Sequence, residues 1–383
     1  MERVYRLLLL GILVIGFGLS SSYLATTSPD VVLVDTISAS EWGAPPIPNW
    51  KIEDIVMCEN GTEAWAAAVG PGPFDDFLLF KITGISTSDP SVDQDSFIPF
   101  YDPYLGGEFP AGMGPRGTPG LAINVTCDKA YFPNFFLDTV NIVDLGAGEI
   151  GWEGTVLPAP VDVELTYPDS ARLIVADSAS NVVTVLDAAS GDILAEIEVG
   201  FAPTSVPVVG KVMAMVANVG SRDIACIDLA KYEVFEARIP GLEVGPFQAV
   251  VSNAADRVYV SNRTSDTVTA YRARGCVLTK LADIPVGRAP RHIALSPDGR
   301  FLYVSNAIDK TVSVIDTRAL AVVETIRPLD LAGLVTEDEP APLGMVAVSK
   351  DNRHLFVYWE GGVVGKPGAF QLYYLDVSGL YGG

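Results

Sequence analysis

The sequence predicts an all-β fold built as a single ring of repeated units of four strands each. Three observations predict it. Short β-branched runs alternate with turn residues along most of the chain, the pattern returns every forty-odd residues, and the last unit ends one strand short.

Composition sets the bounds. The chain has 383 residues, of which 49% are apolar and 19% charged, enough to build a sizeable core. Acidic residues outnumber basic ones, 47 to 25, for a net charge of −22. No Lys/Arg cluster offers a phosphate-reading surface, so nucleic acid is not an expected partner. Two histidines leave little room for His-based metal sites, and neither a metal nor a cofactor is expected.

The first element is a targeting segment. Arg3 and Arg6 precede an uncharged apolar run, Leu7 to Leu19, and then three serines. That layout is a secretory signal. The run extends to Ala25 and so approaches the roughly 20 residues that span a bilayer, which keeps an uncleaved hydrophobic anchor helix open. In either case residues 1–26 are the signal or anchor, residues 27–383 lie outside the cytoplasm, and the N-terminal segment is the one expected membrane contact.

The repeat follows. An Asn or Asp closes the second strand of each unit, and an Asp or Arg closes the third ten residues later: Asn134/Asp144, Asp177/Asp187, Asn218/Asp228, Asn262/Arg272 and Asn306/Asp316. Prolines 119, 160, 203, 246 and 290 keep the same beat. Four strands per forty-odd residues is the signature of a β-propeller blade. The repeat wording, Val286-Gly287-Arg288-Ala289-Pro290, Ser296-Pro297-Asp298-Gly299 and Leu302-Tyr303-Val304-Ser305-Asn306, resembles the YVTN-type propeller repeat, related to NHL and lactonase-like propellers. The resemblance is strongest over 247–330, clear over 161–330 and degenerate towards both ends. It implies a surface-layer-type secreted propeller by analogy only.

First strands begin near residues 51, 117, 161, 204, 247, 291 and 343, which makes seven blades. The last blade lacks its fourth strand, whereas Asp30–Ile37 has no blade of its own. An N-terminal strand completing the last blade would close the ring and leave no open sheet edge. The repeat Asn and Asp residues are expected to bond the backbone of their own turns, and Pro-Asp-Gly at 297–299 to set a tight turn.

Four cysteines suit an oxidising compartment. Cys58 with Cys127 and Cys226 with Cys276 is the most local of three pairings, and free buried thiols are the other reading. Of three sequons, Asn60 lies in an exposed turn, Asn124 reads as part of an inner strand and Asn262 as a repeat turn residue, so Asn60 is the candidate glycan site. Asp89, Asp93 and Asp95 read as a solvated loop without the glycine turn of a calcium loop.

His292 falls where a first strand leaves a blade-connecting loop, near the channel mouth. Lactonase-like propellers have a similar Pro-Arg-His stretch, which makes His292 the one conceivable catalytic base, although no carboxylate partner is identifiable. His354 starts a second strand, far from the channel. Departures from the repeat gather on one face: Ser40–Trp50, 84–118, Arg327–Pro342 and Glu360–Gly368. They carry Trp42, Trp50, Tyr101, Tyr104, Glu337, Asp338 and Glu339 as binding-surface candidates, set against ordinary loop variation. The expected function is a non-catalytic binding or scaffolding platform for a protein or glycan partner. An extracytoplasmic lactonase-, lyase- or dehydrogenase-like enzyme is the alternative.

Overall fold

The computed structural model describes residues 31–38, 51–69, 77–85, 90–100, 120–135, 138–156, 158–235, 239–240, 245–331, 342–359 and 371–382. Its strands form seven separate antiparallel sheets. Blade 1 runs β2 (Lys51–Met57), β3 (Ala64–Val69), β4 (Phe77–Thr83) and β5 (Ser91–Phe100). Blade 2 has β6 (Ala122–Ile123), β7 (Lys129–Asn134), β8 (Thr139–Asp144) and β9 (Glu149–Thr155). Blade 3 has β10 (Pro160–Leu165), β11 (Arg172–Asp177), β12 (Val182–Asp187) and β13 (Ile193–Glu198).

Blade 4 has a divided first strand, β14 (Pro203–Ser205) and β15 (Val208–Val209), then β16 (Met213–Asn218) and β17 (Asp223–Asp228). Its outer strand is also divided, into β18 (Glu233–Val234) and β19 (Ile239–Pro240). Blade 5 comprises β20 (Pro246–Val251), β21 (Arg257–Asn262), β22 (Thr267–Arg274) and β23 (Val277–Pro285). Blade 6 comprises β24 (Pro290–Leu295), β25 (Phe301–Asn306), β26 (Thr311–Asp316) and β27 (Ala321–Ile326). Blade 7 contributes β28 (Leu343–Val348), β29 (His354–Trp359) and β30 (Gln371–Asp376). On the outer side of β30 lies β1 (Val32–Ser38), antiparallel, with Val32 opposite Asp376 and Ser38 opposite Gln371.

Burial follows strand position. Every residue of β25 is buried, whereas β27 alternates exposed and half-buried positions before its last residue. Central strands have a neighbouring blade on each face, so they read as apolar runs. Outer strands meet solvent, so they alternate.

Seven apolar cores result, one between each pair of neighbouring blades. The core between blades 7 and 1 brings Phe356, Tyr358 and Tyr374 against Ile52, Phe80 and Ile82. Packing therefore runs round the whole ring: this is an all-β, seven-bladed propeller. Each buried Leu, Ile or Phe contributes roughly 1.5–3 kcal/mol, so the seven interfaces rather than single sheets hold the shape.

Several details differ from expectation. The described part of the second blade's first strand is Ala122–Ile123, and residues 117–119, where the sequence places its start, lie outside the described residues. Asp93 and Asp95 are not in a loop but on β5, the outer strand of blade 1, where Asp93 faces Lys81 across the ladder and pairs with it at 3.6 Å. Asn124 sits just past β6 in a turn, where its Oδ1 accepts from the backbone of Asp128 and Lys129. Asp144, Asp187, Asp228 and Asp316 cap their turns as expected: each Oδ1 accepts the backbone N–H groups two and three residues ahead.

The second-strand Asn residues do something else. Asn306 donates from Nδ2 to Thr311 Oγ1 and Ser313 Oγ, both at 2.9 Å, and Asn262 donates to Thr267 and Thr269 in the same way. Asn218 donates to Asp223 at 2.7 Å. These side chains are too deeply buried to reach their own turn, so they tie the second strand to the third. A methyl group at Gly287 would stand 2.6 Å from the Asn306 amide carbon, which explains the glycine of the Val-Gly-Arg-Ala-Pro loop.

Candidate functional site

The first strands β10, β14, β20, β24 and β28 contact one another in sequence around the centre, and β2 meets β28. They therefore line the channel. A bulge near the start of most of them places one side chain per blade at an equivalent point: Asp54, Gly120, Asp162, Ser205, Gln248, His292 and Met345.

Four of these residues reach forward to the next inner strand. Asp54 Oδ2 accepts the Leu121 N–H at 3.0 Å, and Asp162 Oδ2 accepts that of Val206 at 2.7 Å. Ser205 Oγ accepts from Ala249 N at 3.4 Å, and Gln248 Oε1 from Ile293 N at 2.7 Å. Each clasp satisfies a backbone donor that the bulge has taken out of its own ladder. At Gly120 a methyl group would land on the Asp162 carboxylate and 2.9 Å from Val163 N, so only glycine leaves that carboxylate its place.

The same ring holds three interacting carboxyl groups. Burial is the main force on each, and the neighbouring acids add to it at Asp162 and Glu164. Asp54 is pushed up to about 6, Asp162 to about 7 and Glu164 to about 8. Glu164, two residues beyond Asp162 on β10, is exposed. Sequence reasoning passed over all three, since nothing in the repeat marks a first-strand acid as inward-facing. The two-residue spacing of Asp162 and Glu164 on one strand was the available signal. Among the described residues no group of His, Cys, Asp and Glu side chains is arranged to hold a metal ion.

His292 belongs to this ring but is only 7% exposed. Its ring meets Phe247 edge-on at 5.8 Å, and its backbone N–H donates to Ser305 Oγ. Burial, reinforced by the Arg291 charge, pushes its pKa down to about 3, so it is neutral at ordinary pH. Among the described residues no carboxylate bonds that ring. His354 lies at the start of β29, stacked on Tyr374 with its Nδ1 3.0 Å from Asp351.

The remaining sequence candidates are distributed as follows. Cys58 is bonded to Cys127 and Cys226 to Cys276, with Cα atoms 5.6 and 5.5 Å apart, joining blade 1 to blade 2 and blade 4 to blade 5. Cys226 lies on β17, and Cys276 stands in the turn between β22 and β23. Asn60 is exposed, and its Oδ1 accepts from Thr62 N at 3.0 Å. Asn262, in contrast, is 3% exposed and committed to two threonines. Trp42, Trp50, Tyr101, Tyr104, Glu337, Asp338 and Glu339 lie outside the described residues, as do residues 1–26. Among the described residues no helix is long and apolar enough to cross a membrane.

Ring, bulges and clasps define a seven-bladed β-propeller. Comparison agrees: residues 242–321 match the family described as "Lactonase, 7-bladed beta-propeller". A solved structure titled Kuenenia stuttgartiensis Hydrazine Synthase is similar with a TM-score of 0.61, over 82% of this chain and 93% of that chain, at 16% identity. That level of identity speaks for the fold alone. No curated protein matches the chain. In all, 1521 chains of known structure match it, so the fold by itself selects no activity.

Proposed function

We propose that this chain is an exported β-propeller serving as a non-catalytic binding or scaffolding platform outside the cytoplasm. Its partner is a protein or a glycan, met by the face that bears the blade-connecting loops. In this reading residues 1–26 are a signal or anchor, β1 closes the ring as the outer strand of blade 7, and Trp42, Trp50, Tyr101, Tyr104 and Glu337–Glu339 stand on the recognition face. The observation that carries it is the inner ring. The polar side chains at Asp54, Asp162, Ser205 and Gln248 are committed to backbone donors of the next blade, and His292 is neutral and walled by Phe247. Two disulfides between neighbouring blades support an oxidising compartment.

The test is cross-linking on intact cells with the full chain, comparing wild type with a Tyr101→Ala/Tyr104→Ala double variant. A specific adduct, lost at least tenfold in the variant, is expected; an adduct unchanged by it removes the proposed face. The enzyme reading is favoured by one observation, the carboxyl groups of Asp54, Asp162 and Glu164 held near neutrality in the channel. Hydrolysis of a lactone by the purified chain, abolished in Asp162→Asn or His292→Gln with the fold intact, would select that reading instead.

A further inference from the structure

A second concave site lies away from the channel, between the outer halves of blades 5 and 6. It is a cleft of about 470 Å³, within the roughly 300–1,000 Å³ common for small-ligand sites. Internal comparison of the repeats shows how it arises. In blades 2, 3 and 5 the outer strand places an acid opposite the third strand: Glu153 faces Asn141, Glu196 faces Thr184, and Asp283 faces Thr269. In blade 5 that acid takes up the third-strand hydroxyl, with Thr269 donating to Asp283 at 2.8 Å. In blade 6 the corresponding pair is Ser313 and Thr325, so a hydroxyl stands where the acid would be and the cleft stays open.

The lining has a definite chemistry. Thr311, Ser313 and Thr325 present hydroxyls. Asn306 donates to the first two oxygens from below, so their own O–H hydrogens are left to point elsewhere. Asp309 offers a carboxylate that accepts from the Arg288 backbone N–H at 2.7 Å and from its guanidinium, which ties Arg288 down and leaves further lone pairs. Arg327 supplies a planar donor at the rim, and Val286 and Val322 supply apolar wall. Interleaved donors and acceptors above an apolar wall suit a ligand with many hydroxyls and an apolar C–H face. The Asp309 charge is offset by Arg288 and Arg327, so the lining is a balanced set of donors and acceptors that suits a neutral, hydroxyl-bearing ligand.

We propose that this cleft is a binding subsite for a neutral sugar unit of a glycan. The proposal rests on the platform reading above and narrows its partner class. Arg327 and the Asp309 carboxylate take adjacent hydroxyls, Ser313 and Thr311 donate to ring or hydroxyl oxygens, and Val322 packs on the C–H face.

The test is calorimetric or saturation-transfer titration of the full chain with glucose, galactose, mannose and N-acetylglucosamine, with glucuronate and inorganic phosphate as the anionic arm. At least one neutral sugar is expected to bind. Thr325→Asp, which restores the acid of blade 5, and Arg327→Ala, at an exposed position, should each weaken it about tenfold or more without changing the melting temperature. The proposal is overturned if no neutral sugar saturates the wild type, if only phosphate or glucuronate binds, or if both variants bind as wild type does. Sugar binding lost from an otherwise normal cell-surface adduct would sink this subsite alone. Lactone turnover requiring His292 or Asp162 would sink the platform reading and leave the subsite to stand on its own titration.

Discussion

Asp177 occupies the place that Asn218, Asn262 and Asn306 hold in the next three blades. It is wholly buried, accepts the Thr184 hydroxyl at 2.6 Å, and is pushed up to about 8 by burial, with Glu196 and Asp138 adding to the effect. At neutral pH it therefore stands as an uncharged acid, close in shape to the amide of its neighbours. Its sign is fixed by linkage. The folded chain keeps a proton that the unfolded chain loses above about pH 4, so stability is lost as pH rises from there towards 8. Asp177→Asn is expected to remove this decline: in urea unfolding, its gain over wild type should be larger at pH 8 than at pH 5 by roughly 1–3 kcal/mol. A gain independent of pH would mean that Asp177 is ionised in the fold. The exchange of Asp for Asn was legible in the repeat register. The direction in which these side chains point was not, because register says nothing about which neighbour a buried amide meets.

Strand positions, their central or outer rank and the turn caps could all be read from apolar runs, alternation and the spacing of Asp residues. The bulge in most first strands could not. It leaves no compositional mark, and the residues it turns inward (Asp54, Asp162, Gln248) look like ordinary polar positions of an alternating strand. For the same reason His292 could be placed near the channel but not recognised as buried against Phe247. Links between elements were legible in part through the cysteines. Cys226 and Cys276, 50 residues apart, join the third strand of blade 4 to a turn of blade 5. Closing a loop of that size is worth about 4 kcal/mol in chain entropy, and native disulfides contribute roughly 2–5. Replacing both by alanine should lower the unfolding free energy by about 2–4 kcal/mol in denaturant titration; a change below 1 kcal/mol would show blade 4 held by its apolar cores alone.

Round the complete ring, seven cores of similar make share the stability, and the net charge of −22 favours solubility. The proposed closure through β1 can be tested at the same scale. Deleting residues 32–38 should expose the edge of β30, lower the melting temperature by several degrees, and promote self-association visible by light scattering. A shortened chain as stable and monomeric as the full one would show that blade 7 stands on three strands. The clasps described above have a direction. Asp54, Asp162, Ser205 and Gln248 each lie earlier in the chain than the N–H they accept, and the rim contacts from Asp138 to Ala159, Asn181 to Ala202 and Asp266 to Ala289 run the same way. A nascent chain thus carries each acceptor out of the ribosome before its donor exists. Each of these joints is completed by the following blade, an order that suits folding during synthesis.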